Sequence, residues 1–284
     1  MVLGVTAVAD FKGVAPNSAD YVHRVSEIEK RVFADRAEYL GDPDFVSVPV
    51  AALTDPAYIA RRAAEINPDK PTATSEVLPG LKEHHQTTHY SVLDHEGNAV
   101  SVTYTLNDSF GSGAVVRGGG FLLNNEMDDF TAAVGAANAY GLRQGAQNAI
   151  APGRRPLSSM TPTLVFRPDG APLLATGTPG GSRIITTVLQ VLLNRLVQGL
   201  NLASAVAAPR FHSQLWPDQI SVEEGFSADT QRLLEAMGHR IQLAPAMGSA
   251  NSVEVRYGLG ALPIGSFGVA DPRRLDAAAV PERP

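Results

Sequence analysis

The chain has 284 residues, a formal net charge of -6 and no cysteine, with 44% hydrophobic and 18% charged residues. That balance fits a globular protein with a substantial core, excludes disulfides and thiolate metal sites, and offers no basic field to attract nucleic acid. No run approaches the ~18 apolar residues that span a bilayer.

The opening MVLGVTAVADFKG has an apolar run with no basic stretch before it and no small-residue cleavage signal. It reads as a core strand or helix entry, not as a signal peptide. Residues 17–40 predict a helix: Asn17 or Ser18 supplies the cap, and Val22, Val25, Ile28, Val32 and Phe33 recur at helical spacing. Arg24, Glu27, Lys30 and Arg31 fall on the opposite face, where solvent is expected. GDPDF at 41–45 stops this helix, and Thr54-Asp55-Pro56 starts a second one over about 56–66.

Residues 67–86, NPDKPTATSEVLPGLKEHHQ, contain three prolines and no apolar period, which marks an exposed connection. From Thr88 the pattern turns to β: YSVLDHEGNAVSVTYTL reads as two strands around a Glu-Gly-Asn turn. A glycine-rich stretch at 111–120 leads to FLLNNEMDDF, whose apolar start reads as a strand. After a small-residue loop at 131–155, a strand begins beyond Met160 and turns at Pro168-Asp169-Gly170. LLATGTPGGSR follows as a strand ending in a Gly-Gly corner, and 182–198 reads as a long apolar helix. A further helix at about 227–237 and short strands complete a layered α+β arrangement.

Several residues suit chemistry, and each has an ordinary structural alternative. A threonine hydroxyl needs a base to become a nucleophile. The α-amine of a chain that begins with threonine is such a base, and Thr87 stands where a cleavable connection meets a strand. An ordinary strand-entry threonine fits the same residues. Glu126, Asp128 and Asp129 beside Asn124 and Asn125 suit a substrate ammonium group or a solvated turn. Ser158 and Ser159 suit a carboxylate or a plain turn. Gly180 and Gly181 point two N–H groups at one spot, as an oxyanion hole requires, or permit a tight turn. TPGGSR lacks the spacing and lysine of a phosphate loop. His84, His85 and His89 lack the register and company of a metal site, and read as solvated or supporting residues.

TTHYSVLDHEGNAVSVTYTLNDSFGSG, LLNNEMDDF, PLSSMTPTLVF and TGTPGGSRIITTVLQ occur in this order. With ADRAEYLGDPDF upstream and PRFHSQ and VADPRR downstream, they resemble the γ-glutamyltranspeptidases, a family of N-terminal nucleophile hydrolases. The resemblance covers nearly the whole chain. It implies a four-layer αββα sandwich, here incomplete, because family precursors are about twice this length and the absent portion is the first part of the large subunit.

It also implies self-cleavage between Gln86 and Thr87. Residues 1–86 would then be the C-terminal part of the large subunit and 87–284 the small catalytic subunit, the two forming a heterodimer. By the same resemblance, Thr87 attacks a γ-glutamyl amide, Thr105 orients it, and Gly180 and Gly181 stabilise the oxyanion. Asn107, Glu126 and Asp129 hold the substrate α-amino group, Ser158 and Ser159 its α-carboxylate, and Tyr140 in NAYG takes the gate of a lid loop. No cofactor or metal is implied.

The family also binds the α-carboxylate through an arginine in the absent portion. No residue here takes its place, since Arg183 follows the Gly-Gly corner in a different motif. The missing half is therefore expected as a partner. The implied location is periplasmic or extracellular, although no export signal is read in this chain. The expected activity is γ-glutamyl transfer from glutathione-like amides to water or to amino acid and peptide amines. The alternatives are a related amide hydrolase of the glutaryl or cephalosporin acylase type, and a non-catalytic, unprocessed fragment.

Overall fold

The structure, a computed structural model, describes residues 2–76, 87–139, 141–258 and 263–281. In chain order it places helices α1 (Val2–Val8), α2 (Ala19–Tyr39), α3 (Val50–Leu53) and α4 (Pro56–Ala64), then the hairpin β1 (Thr88–Leu93) and β2 (Ala99–Tyr104). Strands β3 (Thr163–Phe166) and β4 (Pro172–Thr176) precede α5 (Arg183–Leu192) and α6 (Leu202–Ala207). The remaining elements are β5 (Phe211–His212), β6 (Ile220–Glu223), α7 (Ala228–Met237), β7 (Ile241–Ala244), β8 (Ser252–Tyr257) and β9 (Pro263–Val269).

The chain divides into two compact units. The first takes residues 1–84, 125–158 and 209–245, and the second takes 85–124, 159–208 and 246–284. This division is one of packing; the expected cut between 86 and 87 is covalent.

In the first unit α2 is the spine. Ser18 caps it by accepting the Tyr21 N–H at 3.2 Å, and Val22, Val25, Ile28 and Phe33 are buried as their spacing predicts. Its charged face is not solvated, which corrects the sequence expectation. Glu27, Lys30 and Arg31 are at most 2% exposed, and only Arg24 of the four lies half-open. The charges survive burial because they are paired: Lys30 meets Glu27 at 3.1 Å and Asp218 at 3.0 Å, and Arg31 meets Glu27 at 2.9 Å.

The same network overturns the reading of 67–76 as a wholly exposed connection. Lys30 donates to the Thr72 carbonyl at 3.0 Å, Glu27 accepts the Thr72 N–H at 3.2 Å, and the fully buried Thr74 donates to the Leu215 carbonyl at 2.9 Å. Residues 77–86, including Gln86, His84 and His85, lie outside the described residues. The unit closes with a three-stranded sheet, β5 antiparallel to β6 and β6 parallel to β7 with α7 as the crossover.

The second unit is layered. β1 and β2 pair antiparallel from Thr88↔Tyr104 to Leu93↔Ala99, and β3, β4, β8 and β9 form a four-stranded sheet in that order. Ser101 of β2 donates to the Thr176 carbonyl of β4 at 2.8 Å, and Ser91 of β1 donates to the Asn251 carbonyl at 3.0 Å, which ties the hairpin to one face of the larger sheet. On the other face, Ile184, Val188, Val191 and Leu192 of α5 pack with Leu202 and Val206 of α6 against Leu174 of β4. These are three layers, helix, sheet and sheet, of the expected α+β sandwich.

The predicted helix 182–198 is helical in two pieces. After Leu192 it widens into a π-turn over Leu193–Val197, with the Gln198 N–H on the Leu193 carbonyl at 2.9 Å. FLLNN is not a strand. Its contact with 112–116 is an isolated bridge between Val115 and Leu122 with a few backbone hydrogen bonds around it, such as Ser112 N–H to the Leu123 carbonyl at 3.0 Å, and Phe121 and Leu123 are exposed.

Candidate active site

At the start of the hairpin in the second unit, Thr87 stands one residue before β1 and Thr105 one residue after β2, so the strand register brings them opposite each other. The Thr87 hydroxyl donates to Thr105 Oγ1 at 3.3 Å, and Thr105 Oγ1 also accepts the Asn107 N–H at 2.8 Å. Asn107 is 2% exposed and sits at φ 73°, a left-handed conformation that asparagine tolerates better than most residues. A strained, buried residue beside a candidate nucleophile is the kind of outlier that marks functional sites.

His89, two residues after Thr87, is buried rather than solvated. Its Nδ1 meets Thr103 Oγ1 at 2.8 Å and its Nε2 meets Ser91 Oγ at 3.0 Å. Burial lowers its pKa to about 4, so the ring is neutral at physiological pH. The ring lies against Gly177, leaving no room for a Cβ there.

Three residues beyond Gly177, the glycine corner turns from β4 into α5. Gly180 has φ 135° and Gly181 φ 54°, and their carbonyls accept the Arg183 and Ile184 N–H groups at 3.0 and 3.1 Å as the helix begins. A segment that sequence reading passed over braces this corner. Thr178 Oγ1 donates to the Pro179 carbonyl at 2.8 Å and accepts the Ser249 N–H at 2.7 Å, while Gly248 approaches so closely that a Cβ would overlap Thr178. The same loop is pinned by Asp271, which accepts the Ala250 N–H at 2.6 Å. Only Gly248, in AMGSAN, signalled that contact in the sequence.

In the first unit, Glu126–Asp129 forms a 3-10 turn, with Asp129 9% exposed. The two carboxyls hydrogen-bond each other. Burial first, and then the neighbouring Glu126, push the Asp129 pKa up to about 8, with Arg36 pulling the other way. The pair therefore holds a shared proton at neutral pH and offers paired carboxylate oxygens to a cation that displaces it.

Asp128 accepts the Ala139 N–H at 2.7 Å, which fastens the NAYG loop to the acidic turn. Tyr140 itself lies outside the described residues. Ser158 is exposed and Ser159 half-buried. The segment before Ser158 is clamped: Arg155 donates its N–H to Asp42 at 2.8 Å, and its guanidinium meets Asp42 and Asp44 at 2.5 Å each. Among the described residues no group of His, Cys, Asp and Glu is arranged to hold a metal ion, and no helix is long and apolar enough to cross a membrane.

Comparison with known proteins adds the context for these groups. A family model described as gamma-glutamyltranspeptidase matches residues 1–280. The glutathione hydrolase proenzyme of Escherichia coli (strain K12) is 51% identical over 279 residues, 97% of this chain and 47% of that protein. The glutathione hydrolase proenzyme of Pseudomonas aeruginosa is 57% identical over 237 residues, 82% of this chain and 42% of that protein. The chain thus spans about half the length of the curated relatives it matches. Among solved structures, a variant of Helicobacter pylori gamma-glutamyltranspeptidase superposes with a TM-score of 0.63 at 50% identity, covering 66% of this chain and 100% of that chain. The cephalosporin acylase from Bacillus halodurans gives a TM-score of 0.77 at 26% identity, covering 99% of this chain and 52% of that chain.

Proposed function

The chain belongs to the gamma-glutamyltranspeptidase family, and from that premise we propose that it is the part of a γ-glutamyltransferase and glutathione hydrolase that carries the threonine nucleophile. Cleavage between Gln86 and Thr87 frees the Thr87 α-amine. That amine takes the proton from the Thr87 hydroxyl as its oxygen attacks the γ-glutamyl carbonyl. The Gly180 and Gly181 N–H groups stabilise the tetrahedral oxyanion. Collapse of the intermediate breaks the amide C–N bond, and the proton passes to the departing amine. The glutamyl ester left on Thr87 is then taken by water or by the amine of an amino acid or peptide.

Glu126, Asp129 and Asn107 bind the substrate α-ammonium, and Ser158 and Ser159 bind its α-carboxylate. Tyr140 gates entry. The remaining half of the proenzyme supplies the rest of the sandwich and a cation for the α-carboxylate.

The observation that carries this reading is the hydrogen bond from Thr87 to Thr105, with the Asn107 N–H on the same oxygen. It gives Thr87 an oriented hydroxyl at a strand start, which an ordinary entry residue does not need. The processing step is also supported by chain lengths. The solved H. pylori chain is covered completely by 66% of this chain, and residues 87–284 make up about seven tenths of it.

An acylase acting on a glutaryl or cephalosporin amide is the second reading, favoured by the B. halodurans superposition over 99% of the chain. Glu126 and Asp129 weigh against it, because a glutaryl head has no ammonium for them to bind. The test is mass spectrometry of the purified protein together with turnover of γ-glutamyl and glutaryl anilides. Two pieces, the larger starting at Thr87, with γ-glutamyl release that Thr87→Ala abolishes, support the proposal. A stable single chain supports the non-catalytic alternative, and preferential glutaryl release supports the acylase.

A further inference from the structure

One buried amide holds the acidic turn and the serine arm to each other. Asn148, in the turn Ala146–Asn148, is 2% exposed. Its Nδ2 donates to the Asp129 carbonyl at 2.7 Å and to Gln144 Oε1 at 2.8 Å, and its Oδ1 accepts the Leu157 N–H at 3.0 Å. Its own carbonyl accepts the Thr131 N–H at 2.9 Å. The residue that ends the acidic turn and the residue before Ser158 are therefore fixed to two atoms of the same planar group.

Both arms also hang from the C-terminal end of α2. Gly145 donates its N–H to the Ala37 carbonyl at 2.7 Å. Gly41 lies so close to the Gln147 carbonyl that any Cβ would overlap it, and Asp42 holds Arg155. Asn148 sits between these anchors, and every side-chain hydrogen-bonding position it uses faces one arm or the relay residue Gln144.

We propose that Asn148 is a positioning residue that sets the distance between the Glu126–Asp129 carboxylates and Ser158, and so fixes the length of the α-amino acid head the protein accepts. The proposal rests on the γ-glutamyl reading above. Asn148 touches no substrate in this scheme; it acts through the backbone on either side of it. A residue that merely supports the fold would, when changed, weaken every substrate alike. A spacer between an ammonium site and a carboxylate site would instead change the preference between heads that carry both groups and heads that lack one.

The variant Asn148→Asp keeps the acceptor for Leu157 but turns a carboxylate oxygen toward the Asp129 carbonyl, so the acidic arm loses its shorter side-chain bond while the longer one from Gln144 Nε2 at 3.2 Å remains. Asn148→Ala removes the side-chain bonds to both arms. The test compares γ-glutamyl-p-nitroanilide with glutaryl-p-nitroanilide, which lacks the α-ammonium, in the processed protein. Titration of L-glutamate against glutarate into the processed protein reads the same preference without turnover, since neither ligand carries a cleavable amide.

For Asn148→Asp the KM for the γ-glutamyl anilide, and the dissociation constant for glutamate, should rise about tenfold, as for loss of one well-formed hydrogen bond. The glutaryl values should move by less than about twofold, within the spread of a change that leaves a contact intact. In Asn148→Ala the Leu157 amide should exchange with solvent at least about tenfold faster, while in Asn148→Asp it should stay protected.

An unchanged γ-glutamyl to glutaryl ratio in a folded Asn148→Asp protein overturns the proposal. So does an unchanged Leu157 exchange rate in Asn148→Ala. Failure of the underlying reading shows separately, as wild-type protein that neither turns over the γ-glutamyl anilide nor prefers glutamate; the proposal then falls with it.

Discussion

Thr87 and Thr105 close the open end of the β1–β2 hairpin with a hydroxyl-to-hydroxyl hydrogen bond of 3.3 Å. Thr105 Oγ1 also accepts the Asn107 N–H at 2.8 Å, so one oxygen receives both the backbone of the following turn and the Thr87 hydroxyl. The next group after a six-residue ladder thus becomes an oriented pair rather than a frayed end.

The first prediction follows from that geometry. Thr105→Val keeps the shape but removes the acceptor, and γ-glutamyl turnover should fall on the order of 10²-fold, as when one preorganised polar contact at a reacting group is lost. Because the bond from the Asn107 N–H to Thr105 Oγ1 is lost, stability should fall by about 0.5–1.5 kcal/mol. Thr105→Ser should restore both. Steady-state kinetics and urea denaturation of the two variants measure it, and equal loss in both would show that the hydroxyl is not the cause.

A second prediction concerns protons. Asp129 has its pKa raised to about 8, by burial and then by Glu126, against about 3.9 for a free aspartate. Between those values the folded protein binds the proton and the unfolded chain does not, so this group's contribution to stability is complete at low pH and is lost as pH rises toward 8. Asp129→Asn should flatten that part of the stability profile in thermal melts from pH 4 to 8. A ligand with an α-ammonium should displace the proton, so that glutamate binding followed by calorimetry in two buffers of different ionisation enthalpy reports proton release in wild type and none in Asp129→Asn.

What could be read from the sequence divides along physical lines. The α2 core face, the hairpin and the Gly-Gly corner were legible because helical spacing, a Glu-Gly-Asn turn and paired glycines are local signals. The burial of Glu27, Lys30 and Arg31 was not. Their spacing is that of a solvated face, and only the distant Asp218 and the Thr72 backbone make burial tolerable. Asn148 was illegible for a similar reason: its partners are Asp129, 19 residues back, and Leu157, nine residues on. Side-chain to backbone bonds over such spans leave no period. FLLNN reads as a strand by hydrophobicity alone, yet meets 112–116 through an isolated bridge and not a ladder.

The buried network on α2 gives the third prediction. Lys30 is 1% exposed between Glu27 and Asp218. Burial alone would raise the Glu27 pKa, and Lys30, Thr72 and Arg31 together outweigh it and lower the value. Lys30→Met keeps the volume but leaves Glu27 with one cation fewer and should destabilise by about 3–5 kcal/mol. Adding Glu27→Gln should recover a substantial part of the loss. Chemical denaturation of the single and double variants tests the coupling, and strictly additive losses would show that the two side chains act independently.

The fourth prediction is on the acid side. His89 and His239 both have pKa values lowered to about 4, in each case first by burial, with His23 adding to the effect on His239. His239 Nε2 lies 2.7 Å from His23 Nδ1. With folded values below the free value of about 6.5, stability from His89 and His239 is complete above pH 6.5 and is lost as pH falls toward 4. Imidazole resonances of His89 and His239 should hold their neutral chemical shifts down to about pH 5, about 1.5 pH units below the midpoint of a free imidazole. A midpoint near 6.5 for either would show that the ring is open to solvent.

The glycine corner gives the fifth. A Cβ on Gly177 would overlap the His89 ring, and that ring cannot swing aside because Thr103 and Ser91 hold its two nitrogens at 2.8 and 3.0 Å. Gly177→Ala should therefore destabilise by about 1–3 kcal/mol through overpacking. Gly97→Ala, in the hairpin turn at φ 87° with open space around it, should cost only about 1 kcal/mol of backbone strain. The two differ in reach as well as size. Gly177 is pushed away from β1 just before the chain turns at Gly180, so its variant should also lose γ-glutamyl turnover, whereas Gly97→Ala, at the far end of the hairpin, should retain it. Urea denaturation with parallel turnover assays separates the cases: equal activity in both variants would mean that the corner does not depend on how β4 seats against His89.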